Sequence, residues 1–320
     1  MHTIRFGDDA MYFPFLRGKK YELNAISELS NAIVKSKKVI PIIEPVNLNS
    51  TTLRIIIELN EENVPLVFII NPQDGDLKNE PADVFQSLIN DISNHESFVL
   101  GYFITGDTTY QNIVTTMQKF SSFRFAFIHL TNSKIRDELT LLNKEVAYNI
   151  FIDDKVSTSY KNLFKSSSRV LIKDSYNAEA RNADYCDDEY FSDLFSSFSS
   201  EYYGYGDYQI VGSEYRETGG PAYAVALHFT YLKEQNGDEV WIRHFISDDR
   251  KTTANVQGKY FQALAKLVDF AENQYNNTPE TIGTREFKNN LKSEEYHGLG
   301  YPKKLSIKHH IELMINLLSN

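Results

Sequence analysis

Polar side chains that can do chemistry follow each of seven apolar, strand-like runs in the first part of this 320-residue chain. Three of them, Glu44, His129 and Asp153, are of the types that enzymes use as general acids and bases. The others carry charged or amide groups that suit ligand binding: Arg17, Lys19, Asn71, Lys173 and Asp174. We expect the first three to be catalytic if the protein is an enzyme, and the other five to bind its ligand.

Structural roles compete with these functional ones. Helix caps and turns favour short polar residues at the ends of strands, which is the alternative for three further residues there: Thr105, Asp107 and Asp154. Glu44 lies between two isoleucines and a proline, where a cap is less needed and an unpaired carboxylate is costly near a core. His129 is a base, a ligand or a satisfied pocket residue. Lys173 is a pocket cation or the partner of a neighbouring carboxylate.

The elements that position these groups alternate between strands and helices. Amphipathic stretches at residues 20–36 and 82–92 separate runs rich in β-branched and aromatic residues, a pattern typical of buried parallel strands joined by helical crossovers. The predicted strands are residues 11–16, 39–43, 65–70, 98–104, 124–128, 148–152 and 169–172. The spacing favours an α/β fold of the βα-barrel (TIM-like) type. In that fold the C-terminal ends of the strands gather at one mouth, where we expect the site.

A barrel needs an eighth strand, which we expect at residues 208–212 or 223–231, after an inserted loop region at residues 176–206. Residues 222–247 alternate in polarity on either side of residues 234–238, which predicts a late antiparallel hairpin. Helices are expected at residues 257–273 and 306–318, the second capped by Ser306. We predict one βα-barrel domain over residues 1–320. A separate C-terminal domain beginning near residue 200 is the alternative.

Bulk properties exclude several classes of function. The formal net charge is -10, so we expect no direct binding of duplex DNA. One cysteine rules out an intramolecular disulfide and favours the cytoplasm, and the apolar runs are too short for a signal core or a membrane span. The sequence lacks the motifs of Rossmann dinucleotide sites, P-loops, zincins and α/β-hydrolases.

The loop of Arg17, Gly18 and Lys19 follows an aromatic strand and precedes a helix. Its backbone amides and its cations suit an anion such as phosphate or a carboxylate. Because strands one and two of a barrel are neighbours, we also expect these cations to meet Glu44 at one rim.

Short motifs occur along the chain in a fixed order, at residues 11–19, 40–45, 206–208, 222–228, 242–248, 258–259 and 303–310. In that order they resemble the phage beta-protein family and its bacterial relatives, over nearly the whole chain. The resemblance implies an accessory gene of mobile and phage-conflict loci, sometimes beside a small nuclease. Besides Arg17, Lys19 and Glu44, it nominates five motif positions: Asp207, His228, Arg243, His244 and Asp248.

We therefore expect an accessory protein of phage-conflict (defence) loci that recognises a ligand or partner, such as a small nuclease of the same locus, through the C-terminal mouth of a barrel. From the resemblance, Asp207, Arg243 and His244 join the expected binding residues. The alternative is a hydrolase of a phosphorylated or nucleotide-like substrate, such as a phosphodiesterase, with a divalent metal held by Glu44, Asp153 and Asp174. A scaffold without pocket chemistry is the third possibility.

Overall fold

The computed structural model describes residues 10–165, 167–197, 201–217, 219–220, 222–233, 239–273 and 280–319. Its strands are β1 (Met11–Tyr12), β2 (Phe15–Leu16), β3 (Ile42–Ile43), β4 (Leu66–Ile69), β5 (Phe98–Ile104), β6 (Arg124–His129), β7 (Val146–Ile152), β8 (Arg169–Ile172), β9 (Asp188–Ser192), β10 (Gly204–Gly206), β11 (Ala226–Leu232) and β12 (Val240–Ile246). Its α-helices are α1 (Lys20–Ser36), α2 (Ser50–Glu61), α3 (Gln86–Asp91), α4 (Tyr110–Lys119), α5 (Arg136–Leu141), α6 (Thr158–Lys161), α7 (Leu194–Ser197), α8 (Val256–Asn273), α9 (Ile282–Ser293) and α10 (Gly300–Ser319).

The chain divides into two compact units. Residues 1–174 and 198–208 form the first, and residues 175–197 and 209–320 form the second. The predicted insertion at residues 176–206 is therefore shared between the units. The expectation that all 320 residues form one domain stays a prediction.

The first unit is built on a curled, parallel sheet with the strand order β1-β10-β8-β7-β6-β5-β4-β3-β2. β1 and β2 lie at opposite ends of this strand order, although both belong to residues 11–16. Phe13 and Pro14 separate them in the sequence. On one side of that segment Phe13 donates its amide to Tyr205 O (2.8 Å), and on the other Ile42 donates to Pro14 O (2.8 Å). The fold is thus α/β and barrel-like.

Alternate residues of these strands bury two different surfaces, as expected for parallel strands covered on both faces. In β6, Ala126 and Ile128 belong to a core cluster formed with residues of the neighbouring strands. Phe127 belongs to a second cluster that includes helical residues such as Leu139 and Tyr160. A side chain at the end of a strand therefore faces either the concave core or the helical layer, according to its parity.

The predicted strands at residues 98–104 and 169–172 are confirmed residue for residue. The prediction of the eighth strand is wrong. Residues 208–212 contain no strand, the run at 223–231 contributes to β11 of another sheet, and the missing strand is β10, inside the predicted insertion. Its sequence, Gly-Tyr-Gly, has no apolar run to reveal it. The glycines are needed because a Cβ at Gly204 would lie 2.7 Å from Met11 O, and one at Gly206 would collide with Phe13 O.

The second unit contains an antiparallel sheet, ordered β11-β12-β9, and the helices α8, α9 and α10. The predicted hairpin at residues 222–247 is confirmed by the pairing of β11 with β12, although its turn at residues 234–238 lies outside the described residues. The predicted cap at Ser306 is wrong, since α10 begins at Gly300 and Ser306 is buried within it. None of the described helices is long and apolar enough to cross a membrane.

Candidate functional site

The first residues after β2 and β3 meet at the C-terminal edge of the parallel sheet. Leu16 and Ile43 are register partners, so Arg17 and Glu44, one position further on, emerge side by side. Arg17 forms an ion pair with Glu44 and a second one with Asp74, at 3.0 Å between Nη1 and Oδ2. The second oxygen of Glu44 accepts the amide of Gln73 (2.7 Å). The expectation that Arg17 and Glu44 meet at one rim is confirmed.

Glu44 is fully buried, whereas the side chain of Arg17 keeps 12% of its surface exposed. Burial raises the pKa of Glu44, and the nearby Asp74 raises it further. The guanidinium of Arg17 and the amide of Gln73 act in the opposite direction without reversing the shift. The ionised carboxylate is therefore sustained by these two partners rather than by water.

Tyr208 completes this arrangement, and sequence reasoning missed it. Its ring lies 4.9 Å from that of Phe15, and the guanidinium of Arg17 lies 5.9 Å from the Tyr208 ring. Burial raises the pKa of Tyr208. Arg17 lowers it, and three carboxylates raise it, those of Asp174, Glu44 and Asp154. The only signal in the sequence was that Tyr208 ends the Gly-Asp-Tyr motif.

Charged groups from several strand ends thus act on one tyrosine. We call Arg17, Glu44, Asp74, Asp174 and Tyr208 the rim cluster. Within it Arg17 pairs with Glu44 and Asp74 and lies against the ring of Tyr208, and Asp174 is included for its electrostatic effect on Tyr208. Arg17, Glu44 and Asp174 belong to the set expected to function, whereas Asp74 and Tyr208 do not. Its carboxylates outnumber its cations, which favours a positively charged group in a ligand or partner.

Backbone amides of the loop at residues 17–19 already donate to a carboxylate of the protein itself. The buried carboxylate of Glu22, in the first turn of α1, accepts the amides of Arg17 (2.7 Å) and Lys19 (3.4 Å). A negative charge is favourable there because unpaired amides and the helix dipole meet at a helix N-terminus. The expectation of an external anion at these amides is wrong. For the side chains of Arg17 and Lys19, ligand binding stays a prediction.

Two expected site residues have structural partners. The side chain of Asn71 accepts from Phe103 N (2.7 Å) and donates to Phe103 O (3.0 Å), so it continues the sheet beyond β4 as a strand would. Asp153 accepts from the buried ammonium of Lys161 at 2.5 Å. Lys173 is half-buried at the end of β8, and its amide donates to Gly206 O (3.0 Å).

His129 lies in the helical layer rather than at the rim. Its ring stacks on Phe151 at 4.7 Å, its Nδ1 lies 2.9 Å from Tyr160 Oη, and its Nε2 lies 3.0 Å from Asn149 Oδ1. Because the amide oxygen can only accept, Nε2 carries the proton and Nδ1 accepts from the tyrosine. Burial lowers the pKa of His129 to about 4. Glu44, His129 and Asp153 bond to different partners, so the structure does not assemble them as one catalytic set.

The expected metal ligands do not converge either. Within the described ranges, three His, Cys, Asp or Glu side chains bring donor atoms within 4.8 Å of one another at one place, formed by Cys186, Glu189 and His244 of the second unit. Glu44, Asp153 and Asp174 form no such group.

The residues nominated by the family resemblance are distributed over both units. In the first, buried Asp207 accepts from Tyr12 Oη (2.7 Å). In the second, the guanidinium of Arg243 lies 4.7 Å from the ring of Phe270, and Asp248 pairs with Lys266 at 2.7 Å. The last two, His228 and His244, face each other across β11 and β12. Asp207 and Arg243 therefore have structural partners, whereas the two histidines form a polar cluster.

That cluster is a continuous chain of polar contacts. The Nδ1 atoms of His228 and His244 are 2.7 Å apart, and His228 Nε2 lies 3.1 Å from Tyr176 Oη. His244 Nε2 lies 3.1 Å from Glu189 Oε1. Burial lowers the pKa of both histidines, and Glu189 partly opposes this for His244. Both rings are therefore neutral near pH 7, and each can donate from one nitrogen and accept at the other.

Comparison with models of known protein families finds no match for this chain, and comparison with curated proteins finds none.

Proposed function

We propose that the chain is a recognition protein of phage-conflict loci, related to the phage beta-protein family, and that the rim cluster binds its ligand or partner. The observation that supports this most is that Arg17, which follows β2, pairs with Glu44 after β3 and Asp74 after β4 and lies 5.9 Å from the ring of Tyr208. Residues from separate strand ends converge in this way where a scaffold presents a site at the edge of a parallel sheet.

We also propose that the curled parallel sheet forms a TIM-like barrel. Residues 11–16 hydrogen bond to β10 on one side and to β3 on the other, as a strand that closes a barrel does. An exposed thiol at Cys186 suits the reducing cytoplasm, where we place the protein. A small nuclease of the same locus is our proposed partner.

The carboxylates at this edge of the sheet determine which charge a ligand should carry. Glu44 and Asp74 are paired with Arg17, Asp154 lies 3.6 Å from Lys155, and the side chains of Asp154 and Asp174 are exposed to solvent. The exposed carboxylates attract a cationic group, and the Tyr208 hydroxyl offers it a hydrogen-bond acceptor. A basic loop of a partner protein or an amine-bearing ligand has the required chemistry.

A phage-challenge assay on the intact locus tests the proposal with two mild variants. Tyr208→Phe removes one hydroxyl, and Asp174→Asn removes one exposed charge. Each should reduce protection at least about tenfold, the effect of a loss of about 1.4 kcal/mol of binding. Melting temperatures should stay close to that of the wild type, because neither variant opens a cavity.

Asp91→Asn is the matched control. It removes one exposed carboxylate at the end of α3, which precedes β5 and so lies at the opposite edge of the sheet. It should protect as well as the wild type. Full protection by both rim variants would refute the proposal and favour a scaffold without pocket chemistry.

A further inference from the structure

A second group of reactive side chains lies in the second unit, apart from the rim cluster. Cys186, Glu189 and His244 bring a thiol sulfur, a carboxylate oxygen and an imidazole nitrogen within 4.8 Å of one another. The pairing of β9 with β12 creates this proximity. Glu189 is the register partner of Ile242, and His244 is two residues further along β12, so both side chains lie on one face. Cys186 precedes β9 by two residues and is exposed.

The carboxylate of this group is already oriented. Glu189 Oε2 accepts from the side-chain amide of Asn177 at 2.9 Å, while Oε1 faces His244 Nε2. Carboxylates that ligate metals are commonly held by such a second hydrogen bond. The arrangement therefore offers a fixed oxygen donor beside the imidazole.

The imidazole is held in the same way. The ring of His244 stacks on Tyr185 at 4.6 Å, and its Nδ1 contacts His228. If Nε2 of His244 binds a metal, Nδ1–H donates to Nδ1 of His228, and Nε2–H of His228 donates to Tyr176 Oη. The Tyr176 hydroxyl then donates to Tyr185 Oη, 2.6 Å away. In this arrangement the protons of His244, His228 and Tyr176 each have an acceptor, and Nε2 of His244 carries no proton and is available to a metal.

We propose that Cys186, Glu189 and His244 bind a zinc ion. A mixed set of sulfur, nitrogen and oxygen donors suits zinc, whereas calcium and magnesium prefer oxygen alone. Tetrahedral zinc places its ligand atoms about 3.3–3.6 Å apart. The donor atoms here lie within 4.8 Å of one another, and His244 Nε2 and Glu189 Oε1 are already 3.1 Å apart. Rotation of the exposed Cys186 side chain can bring the sulfur to the same spacing while Glu189 and His244 stay in place. Three protein ligands leave a fourth position for water, and the thiol proton is released to solvent on binding.

Cobalt substitution provides the decisive experiment, because the chain has one cysteine. Titration of the purified full-length protein with Co²⁺ should produce a sulfur-to-cobalt charge-transfer band in the near ultraviolet, which only Cys186 can supply. Added Zn²⁺ should abolish the band at one equivalent and should raise the melting temperature of the wild type. Calorimetric titration with Zn²⁺ gives the affinity.

Variants separate the ligands from the residues behind them. Cys186→Ser should remove the charge-transfer band and weaken zinc binding by more than about 100-fold, since even changes to residues that hydrogen bond to a metal ligand cost about 10–100-fold. His228→Gln changes such a residue, so it should weaken binding within that range and keep the band. His297→Gln is the control, because exposed His297 forms another His–Glu contact, with Glu295 at 3.4 Å, that has no thiol. It should bind zinc as the wild type does.

Absence of the charge-transfer band in the folded wild type would overturn the proposal. So would a Cys186→Ser protein that binds zinc as tightly as the wild type. Cys186 is exposed, so this variant should fold normally, as circular dichroism can verify. The proposal is independent of the function assigned to the rim cluster, and neither experiment depends on the other.

Discussion

Acidification from pH 7 to pH 5 should destabilise the protein through histidines that are buried in the neutral form. Burial lowers the pKa of His129 to about 4 and that of His309 to about 3. An unfolded histidine has a pKa of about 6.5, so the unfolded chain binds protons that the folded chain does not. The stability that these rings provide is fully present above about pH 6.5. It is lost as the pH falls from there toward the folded pKa values.

The magnitude follows from this difference in proton binding. At pH 5 an unfolded histidine is almost fully protonated, whereas His129 and His309 are still neutral. Each ring therefore lowers the unfolding free energy by about 2 kcal/mol when the pH falls from 7 to 5, and the two together lower it by about 4 kcal/mol. That is a large part of the roughly 5–15 kcal/mol by which proteins are stable.

Urea denaturation at pH 7, 6 and 5 measures the effect, and His129→Gln isolates one ring. The glutamine retains a polar group, but it should cost about 1–3 kcal/mol at pH 7 because Tyr160 or Asn149 loses a partner. Between pH 7 and pH 5 the unfolding free energy of this variant should fall less steeply than that of the wild type, by up to about 1.4 kcal/mol per pH unit.

Ile104→Val is the control for the loss of stability itself. Ile104 is buried in the same cluster as the partners of His129, and the change should cost about 0.5–1.5 kcal/mol while leaving the pH dependence intact. If His129→Gln and the wild type lose stability equally between pH 7 and pH 5, the assignment of His129 as a buried neutral ring is refuted. A catalytic role for that residue would then be open again.

Three further outcomes are expected. Arg17→Met leaves the buried carboxylate of Glu44 without its cation, so it should lower the unfolding free energy by about 3–5 kcal/mol at pH 7, and the double variant with Glu44→Gln should recover most of this in a thermodynamic cycle. Asn71→Ala leaves the amide of Phe103 without its side-chain partner and should cost about 1–3 kcal/mol in urea denaturation, a loss that Asn289→Ala on the exposed face of α9 should not show. Because the net charge is -10, a mobility-shift titration should show weak binding of duplex DNA that vanishes as salt rises, and tight binding at physiological salt would contradict this.

The sequence predicted the parallel strands of the first unit and the contact between Arg17 and Glu44. Both depend on local patterns, because an apolar run bounded by polar residues forms a buried strand in most surroundings. Residues that directly follow neighbouring parallel strands then lie side by side, so their contact can be predicted from the strands alone. For β10 this reasoning failed, since its glycines are selected by the close approach of Met11 and Phe13 rather than by any periodicity of their own.

By itself, then, the sequence determined the class of fold and the edge of the sheet where charged groups would gather. The tertiary structure decided which of those groups face one another. The alternation of side chains along β6 placed His129 in the helical layer. Tyr208, the last residue of the first unit, lies against Arg17 in the rim cluster. The cluster of His228, His244, Glu189 and Cys186 depends on the pairing of β9 with β12, whose residues are more than 50 positions apart, as in the contact of Glu189 with His244. Local pattern specifies a strand, but only the packing of the whole chain specifies its neighbours.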